Sequence, residues 1–313
     1  MMEKAAYAYD LHCHTTRSDG ADTPVELVDN AADRGVKGIA ITDHDIVPPK
    51  TVTLNGKEID ICEYAESKGV LVIRGIEISC ETEVEDVHII CFHCDWEAPF
   101  FEKLQKDVTA SKIESYHLLV ERLREDGIDV TWEEVLENNG TPISENSVQK
   151  KMIFELLARK GAAEDWSKAK LMVKNTKRYQ IQRGKPDPVC VIKEIKRMGG
   201  YTVMAHPFLV NEPVMIKGGM MDRFSYIDRL IDAGLDGIEG CYTYDKTSYG
   251  GNLTKEEIEK VIRGTYRNRL RLISGGSDYH ADYKKSVKSP RQIGECGVTE
   301  SYFMSNEILC SLV

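Results

Sequence analysis

The 313-residue chain predicts an α/β fold of strand–helix units interrupted by a helical insertion. Three observations carry this. Over the first hundred residues, short apolar runs alternate with amphipathic stretches, the pattern of buried strands covered by helices. Between residues 97 and 188 the chain becomes rich in helix formers and charge. After residue 188 the strand–helix alternation resumes.

In chain order, residues 7–13 read as a strand. Residues 23–34 read as a helix, with Thr23 as cap, Pro24 in the first turn, Glu26 completing a capping box and Gly35 ending it. Residues 36–42 form the next strand, residues 59–68 a helix stopped by Gly69, and residues 70–73 and 87–92 two more strands. The spacing of Leu104, Val108, Ile113, Leu118, Leu119 and Leu123 predicts a long helix over 101–126. Shorter helices follow over 131–138 and 148–160. Strands are expected at 201–204, 237–239 and 271–274, with a helix over 227–233. The expected organisation is a main domain of residues 1–97 and 188–313 and an inserted, mainly helical subdomain of residues 98–187, placed to act as a substrate cap.

Composition narrows the function. Hydrophobic residues make up 42%, enough for a sizeable core. The net charge of −10 argues against duplex nucleic acid as a partner, since that needs a basic face. Residues 1–5 lack the apolar core of a leader, and no apolar run reaches 18 residues, so no membrane span is expected. Nine scattered cysteines without a secretion signal suggest a reduced, cytoplasmic protein. Cys91 and Cys94 form a single CxxC, and a zinc knuckle would need a second pair.

The eight histidines carry the chemistry. His12, His14, His44, His206 and His280 stand beside predicted strands, and His88 begins one; carboxylates accompany them. Strand ends are where α/β folds gather catalytic groups. His12 and His14 are two apart on a strand and share a face, with Cys13 on the other. Two such imidazoles suit a transition metal, and Asp19 lies on the turn that follows; a hydrogen-bonded core pair is the alternative. His44 sits among Thr42-Asp43-His44-Asp45, as a ligand or a salt-bridged surface group. Glu77 is a lone carboxylate in an apolar stretch, where burial without a cation is expensive. Ala205-His206-Pro207 and Ser277-Asp278-Tyr279-His280 close two later strands, and Gly275 and Gly276 permit close backbone approach. His93 and His117 read as packing or surface histidines. His117 could reach substrate if the insertion folds over the site.

Taken together, His12-x-His14 with Ser18-Asp19-Gly20, Thr42-Asp43-His44, Gly75-Ile76-Glu77, His88, Ala205-His206-Pro207 and Gly276-Ser277-Asp278-Tyr279-His280 resemble the polymerase and histidinol phosphatase (PHP) superfamily. The resemblance covers about residues 7–100 and 188–300, and looks closest to a subgroup with an insertion. It implies a distorted (β/α)7 barrel with metals at its C-terminal mouth. It also implies a trinuclear site of nine ligands. His12, His14, Glu77 and Asp278 would hold one ion; Glu77, His88 and His206 a second; Asp19, His44 and His280 a third. Two to three divalent ions, manganese, iron or zinc, fit mixed imidazole and carboxylate donors.

The expected function is hydrolysis of phosphate esters of a small sugar phosphate or nucleotide by attack of metal-activated hydroxide on phosphorus. Glu77, His206 and Asp278 are the candidate catalytic groups. Members of the subgroup usually carry an Arg-Pro-His segment in the insertion, and the nearest stretch here, residues 141–147, lacks both Arg and His. That favours a non-standard substrate. Lys185, in a Gly-Lys-Pro segment similar to one in the family, leads the candidate phosphate contacts, followed by Arg17, Arg183 and His117; Lys150, Lys151 and Arg178 are further basic residues. The alternatives are a cyclic phosphodiesterase acting on a phosphoribosyl 1,2-cyclic phosphate, a 5′-3′ exonuclease on short RNA ends, and a non-catalytic metal-binding module. The last would show lost ligands, and none is missing.

Overall fold

The computed structural model describes residues 4–81, 83–216, 218–285 and 287–313. Residues 1–3, at the start of the stretch read for a leader, lie outside them. The chain divides into two compact units, Met1–Glu102 with Pro186–Val313, and Lys103–Lys185.

The first unit is built on a seven-stranded sheet. Its strands are β1 (Tyr9–Cys13), β2 (Gly38–Ile41), β3 (Leu71–Ser79), β4 (His88–Phe92), β5 (Tyr201–Met204), β6 (Gly237–Cys241) and β7 (Leu272–Gly275), adjacent in that order. The sheet nearly closes into a barrel. The amide of His14 donates to the carbonyl of Tyr279 at 2.8 Å and that of Tyr279 to the carbonyl of His12 at 3.3 Å, joining the end of β1 to the segment after β7.

The strands are not all parallel, as alternating β/α units would have them. β4 runs antiparallel to both β3 and β5. A link of eight residues joins β3 to β4, too short for the helical crossover a parallel pair needs. The reversal has a consequence for the site: β4 begins at the rim where its neighbours end. His88, the first residue of its strand, thereby joins histidines that follow theirs.

Helices cover the sheet for reasons visible locally. In α1 (Pro24–Asp33) the Thr23 side chain accepts from the Glu26 amide and Glu26 accepts from the Thr23 amide, while Gly35 leaves the helix at φ +72. Its buried Leu27, Val28 and Ala31 pack with Cys13, Ile39, Ile41 and Ile61. Cys13 thus faces the helical layer. Each such fully buried aliphatic side chain contributes about 1.5–3 kcal/mol of transfer free energy. A second core gathers Leu11, Ala40, Ile73, Ile90, Val203 and Leu272 from six strands.

Several elements escaped the periodicity reading. The helices Pro188–Arg197 and Lys255–Tyr266 flank the later strands, the second with a Thr254/Glu257 capping box. Two small hairpins, Thr51–Leu54 with Lys57–Asp60 and Val214–Ile216 with Gly219–Met221, are too short for alternation to mark them.

The second unit has its own core. The helices Trp132–Glu137, Lys150–Arg159 and Trp166–Asn175, with most of Pro99–Glu125, contribute Leu119, Leu123, Val135, Ile153, Leu157 and Val173. Among the described residues no helix is long and apolar enough to cross a membrane.

Candidate metal centre

One rim of the barrel carries a converging set of histidines and carboxylates. Glu77, on β3, is buried at its centre. Its Oε2 lies 3.2 Å from His12 Nε2, 3.1 Å from His14 Nε2 and 3.1 Å from His44 Nδ1. Its Oε1 lies 3.0 Å from His88 Nδ1 and 3.1 Å from His206 Nε2. Five imidazoles therefore surround one carboxylate. Asp278 Oδ1 is 3.1 Å from His14 Nε2 and 3.4 Å from both His12 Nε2 and His280 Nδ1. Asp19 Oδ1 is 3.1 Å from His280 Nε2.

Local backbone aims these groups. The register slips between Asp10 and Cys13 on β1 and between Glu239 and Cys241 on β6; such bulges re-aim side chains next to functional sites. His206 and Asp278 hold left-handed backbone, at φ 27 and φ 52. That conformation is uncommon for residues with a side chain and persists where the surroundings impose it. A Cβ on Gly276 would fall 2.3 Å from that of His12, so only glycine lets the segment after β7 lie against β1.

The electrostatics follow from crowding. Burial works to raise the Glu77 carboxyl, but His12, His44 and His88 outweigh it and hold it well below the carboxylate range. Burial works to lower His12, and Glu77, Glu239 and Asp278 hold it well above its ordinary value instead. His14 is pushed up to about 10, hydrogen bonds to Asp278 and Glu77 overcoming burial. His44 goes the other way, to about 3, because burial dominates there.

The donor set fits divalent ions. His14 Nδ1, His44 Nδ1, His206 Nδ1 and Glu77 Oε2 are buried without a hydrogen-bond partner among the described residues, and His44 Nδ1 lies 3.1 Å from Glu77 Oε2. Buried polar atoms are normally satisfied, and close approach without hydrogen bonding is what atoms sharing a cation would show. Three groups place their possible ligand atoms within 4.8 Å of one another: His12, His14 and Glu77; His44, Glu77 and His88; and His14, Asp19, His44 and His280. This grouping differs from the division the resemblance implies. His14 also stands with the Asp19 group, and His44 reaches both Glu77 and Asp19. Asp278 and His206 are outside these three groups, yet both lie against their members.

Sequence reading missed the residues that hold the centre together. Glu239, buried on β6, accepts from His12 Nδ1 at 3.1 Å and from the His206 amide at 2.8 Å. Tyr242 donates to Asp278 at 2.7 Å and Arg291 to the same carboxylate oxygen at 2.6 Å. Asp10 is pushed up to about 6 by burial and accepts from the Ser277 amide and hydroxyl and the Gly294 amide. A glutamate inside a predicted strand was the one available signal for Glu239; nothing local marks Arg291.

A cavity of about 370 Å3 opens above the centre, lined by Glu77, His88, His206 and Asp278 and by the basic side chains Lys246, Lys285 and Arg291. Arg17, an expected substrate contact, is not part of this lining. Its guanidinium donates to the carbonyl of Val47 at 3.1 Å, which turns it from Asp19 toward the segment after β2. His117, Arg183 and Lys185 belong to the second unit. There the His117 ring lies tilted against Trp132 with centroids 3.9 Å apart, and Arg183 donates to the Tyr116 hydroxyl at 2.6 Å. Cys91 and Cys94 bond the carbonyls of Ile89 and Phe92 and join none of the three groups.

The chain is similar to known proteins. The chain is 26% identical over 278 residues to the phosphoribosyl 1,2-cyclic phosphate 1,2-diphosphodiesterase of Eggerthella lenta, covering 88% of this chain and 94% of that protein. It is 26% identical over 284 residues to the 3′,5′-nucleoside bisphosphate phosphatase of Chromobacterium violaceum, covering 87% of each. A crystal structure from Bifidobacterium adolescentis, of a protein assigned as a metal-dependent phosphoesterase, superposes with a TM-score of 0.67 at 29% identity, over 98% of this chain and 97% of that one. The PHP domain profile matches residues 10–184, more than half of the 313, and the chain belongs to the PHP domain family.

Proposed function

We propose that the chain is a metal-dependent phosphoesterase acting on a small phosphorylated substrate, with His12, His14, Asp19, His44, Glu77, His88, His206, Asp278 and His280 holding two to three divalent ions of manganese, iron or zinc. The observation that carries this is Glu77 buried among five imidazoles. One carboxylate between two clusters of nitrogen donors is the arrangement a bridging ligand requires. Ions bound there would lower the pKa of water and neutralise charge on the phosphoryl group.

The residues of the chain supply the rest. Glu239, 3.1 Å from His12 Nδ1, favours the proton on that nitrogen and would leave the Nε2 lone pair for an ion. The cavity lining contains four carboxylates, Asp19, Glu77, Asp86 and Asp278, against Lys246, Lys285 and Arg291. Cations held by these carboxylates would make the field there favourable to phosphate. Lys246 and Arg291 then orient the phosphoryl oxygens that face away from the ligands. His206 and Asp278 stand at the cavity wall.

A cyclic diester is a second reading. It is favoured by the Eggerthella relative and by the absence of Arg-Pro-His from residues 141–147. In either reading the inserted residues act as a cap that selects substrate, with Lys185, Arg183 and His117 as candidate contacts. Nine scattered cysteines support a reducing, cytoplasmic setting.

Purification with manganese, elemental analysis and a phosphate-release screen over sugar phosphates, nucleotides and cyclic esters test the proposal. Two or more ions per chain and turnover are expected, with Glu77→Ala losing both. Fewer than two ions and no hydrolysis of any ester would overturn it.

A further inference from the structure

Two cysteines that the metal centre does not use come together beside it. Cys241, the last residue of β6, and Cys296 line one cavity of about 220 Å3. The segments that carry them meet at Gly275. A Cβ there would fall 3.0 Å from that of Cys241 and 2.5 Å from the carbonyl oxygen of Gly297. The Cys241 carbonyl also accepts from the Gly276 amide at 3.1 Å. Both cysteines are buried, but the cavity also touches Lys255, Glu256 and Glu259 on the helix Lys255–Tyr266. Glu256 is exposed, so the cavity connects the sulfurs to solvent.

The surroundings of Cys241 differ from those of a packing cysteine. Burial pushes the thiols of Cys13 and Cys91 well up. Cys241 is lowered instead. Its sulfur accepts first from the Cys296 thiol, and the Tyr7 hydroxyl and the Gly297 amide add to this against burial. Cys296 is the donor of the pair and is raised for that reason, with burial acting the same way. Three donors around one sulfur favour the thiolate, which is the nucleophilic form. A protonated thiol beside it can resolve the oxidised sulfur. In reducing compartments such pairs are transient and redox-sensing rather than structural.

We propose that Cys241 and Cys296 are a peroxide-sensing dithiol that closes to a disulfide beside the metal centre. The Cys241 thiolate attacks one oxygen of hydrogen peroxide and the O–O bond breaks. The sulfur becomes a sulfenic acid, and the second oxygen leaves as water after taking up a proton. The Cys296 sulfur then displaces the sulfenic oxygen, which leaves as a second water with the Cys296 proton. Two thiols are oxidised and one peroxide is reduced. The small cavity and its carboxylates, Glu256, Glu259 and Glu295, admit a small neutral oxidant and oppose a bulky anionic one.

Closure replaces a hydrogen-bonded contact with a shorter covalent bond and draws the two segments together. Tyr242 and Glu295 are the adjoining residues along the chain. Tyr242 donates to Asp278 at 2.7 Å, and Glu295 accepts from Lys246 at 2.7 Å. Tyr242, Lys246 and Asp278 all line the metal cavity. Oxidation therefore loosens metal binding. This coupling rests on the reading of that cavity as a metal centre; the dithiol does not.

Peptide mapping by mass spectrometry tests the dithiol on the purified chain, treated with hydrogen peroxide and then alkylated. Peptides joined through Cys241 and Cys296 are expected, separable by dithiothreitol, and forming severalfold faster than with glutathione disulfide at equal concentration. In Cys296→Ser the reaction stops at the sulfenic acid, and dimedone labels Cys241. No joined peptides at peroxide concentrations that oxidise the exposed Cys190 overturns the proposal, as does an equal rate with glutathione disulfide or an unlabelled Cys241 in the variant. For the coupling, manganese retained through gel filtration falls severalfold once the bond is closed and recovers with dithiothreitol. Cys241→Ser retains manganese like the parent, with or without peroxide. Retention unchanged at full closure overturns the coupling. A chain that takes up no manganese in either state overturns the metal-centre reading instead, and the joined peptides still decide the dithiol.

Discussion

Glu239 shows how a residue that touches no substrate can govern the centre. Its Oε1 accepts from His12 Nδ1 and its Oε2 accepts from the His206 amide, so one carboxylate orients two candidate ligands from different parts of the barrel. Glu239→Gln keeps the shape but allows the amide to present a donor to His12. Metal affinity is expected to fall about 10–100-fold, with thermal stability of the metal-free protein little changed; competition with a calibrated chelator measures it. A further consequence concerns pH. Glu77 is held well below its ordinary 4.5, so its contribution to stability is present above pH 4.5 and fades as pH falls. His14 is raised from 6.5 to about 10, so its contribution is full below pH 6.5 and is lost as pH rises toward 10. His44 is lowered from 6.5 to about 3 and costs stability as pH falls below 6.5, so the metal-free protein should melt highest near pH 6.5 and decline on the alkaline side. Metal loading should flatten that decline, because a cation replaces the proton. Identical alkaline slopes with and without manganese would contradict this account.

Among the elements, β4 is the one whose direction matters most. A parallel strand there would carry His88 to the far rim; the tight link from β3 turns it back, and its first residue lands 3.0 Å from Glu77. The same logic applies at Gly276. Gly276→Ala would push its segment off β1 at His12, so loss of bound metal is expected with only partial loss of helix signal, read by elemental analysis beside circular dichroism. The helix caps are the contrasting case. Thr23→Ala removes one side of a capping box and should lower stability by about 1 kcal/mol in denaturant titration without altering turnover. Caps, stop glycines and the long amphipathic helix were legible from sequence because each rests on residues within one turn. The two short hairpins and the helix over Lys255–Tyr266 were not, because their patterns are too brief or too polar to stand out from loop.

The molecule as a whole separates chemistry from a second packing unit. All nine candidate ligands belong to the first unit, and the second is held by its own cluster around Leu119, Leu157 and Val173. Leu157→Ala should cost about 2–5 kcal/mol in that unit, seen as an earlier melting step, while metal content stays at the parent value. A proportional loss of metal would show that the two units fold as one.

The sequence by itself determined the reaction class and the candidate ligands. Metal donors come in short motifs at strand ends, and each motif is local: His12-x-His14, Gly-Ile-Glu77, Ala-His206-Pro, Asp278-Tyr-His280. Tertiary structure decided which of them share an atom's neighbourhood. It placed Glu77 rather than the His12–His14 pair at the middle, redistributed His14 and His44 between groups, and removed Arg17 from the cavity. It also supplied Glu239 and Arg291, the first 227 residues from the His12 it holds. Spacing along a strand is set by the backbone and can be read from one segment. Convergence across seven strands depends on register, bulges and the direction of β4, and no single segment encodes these.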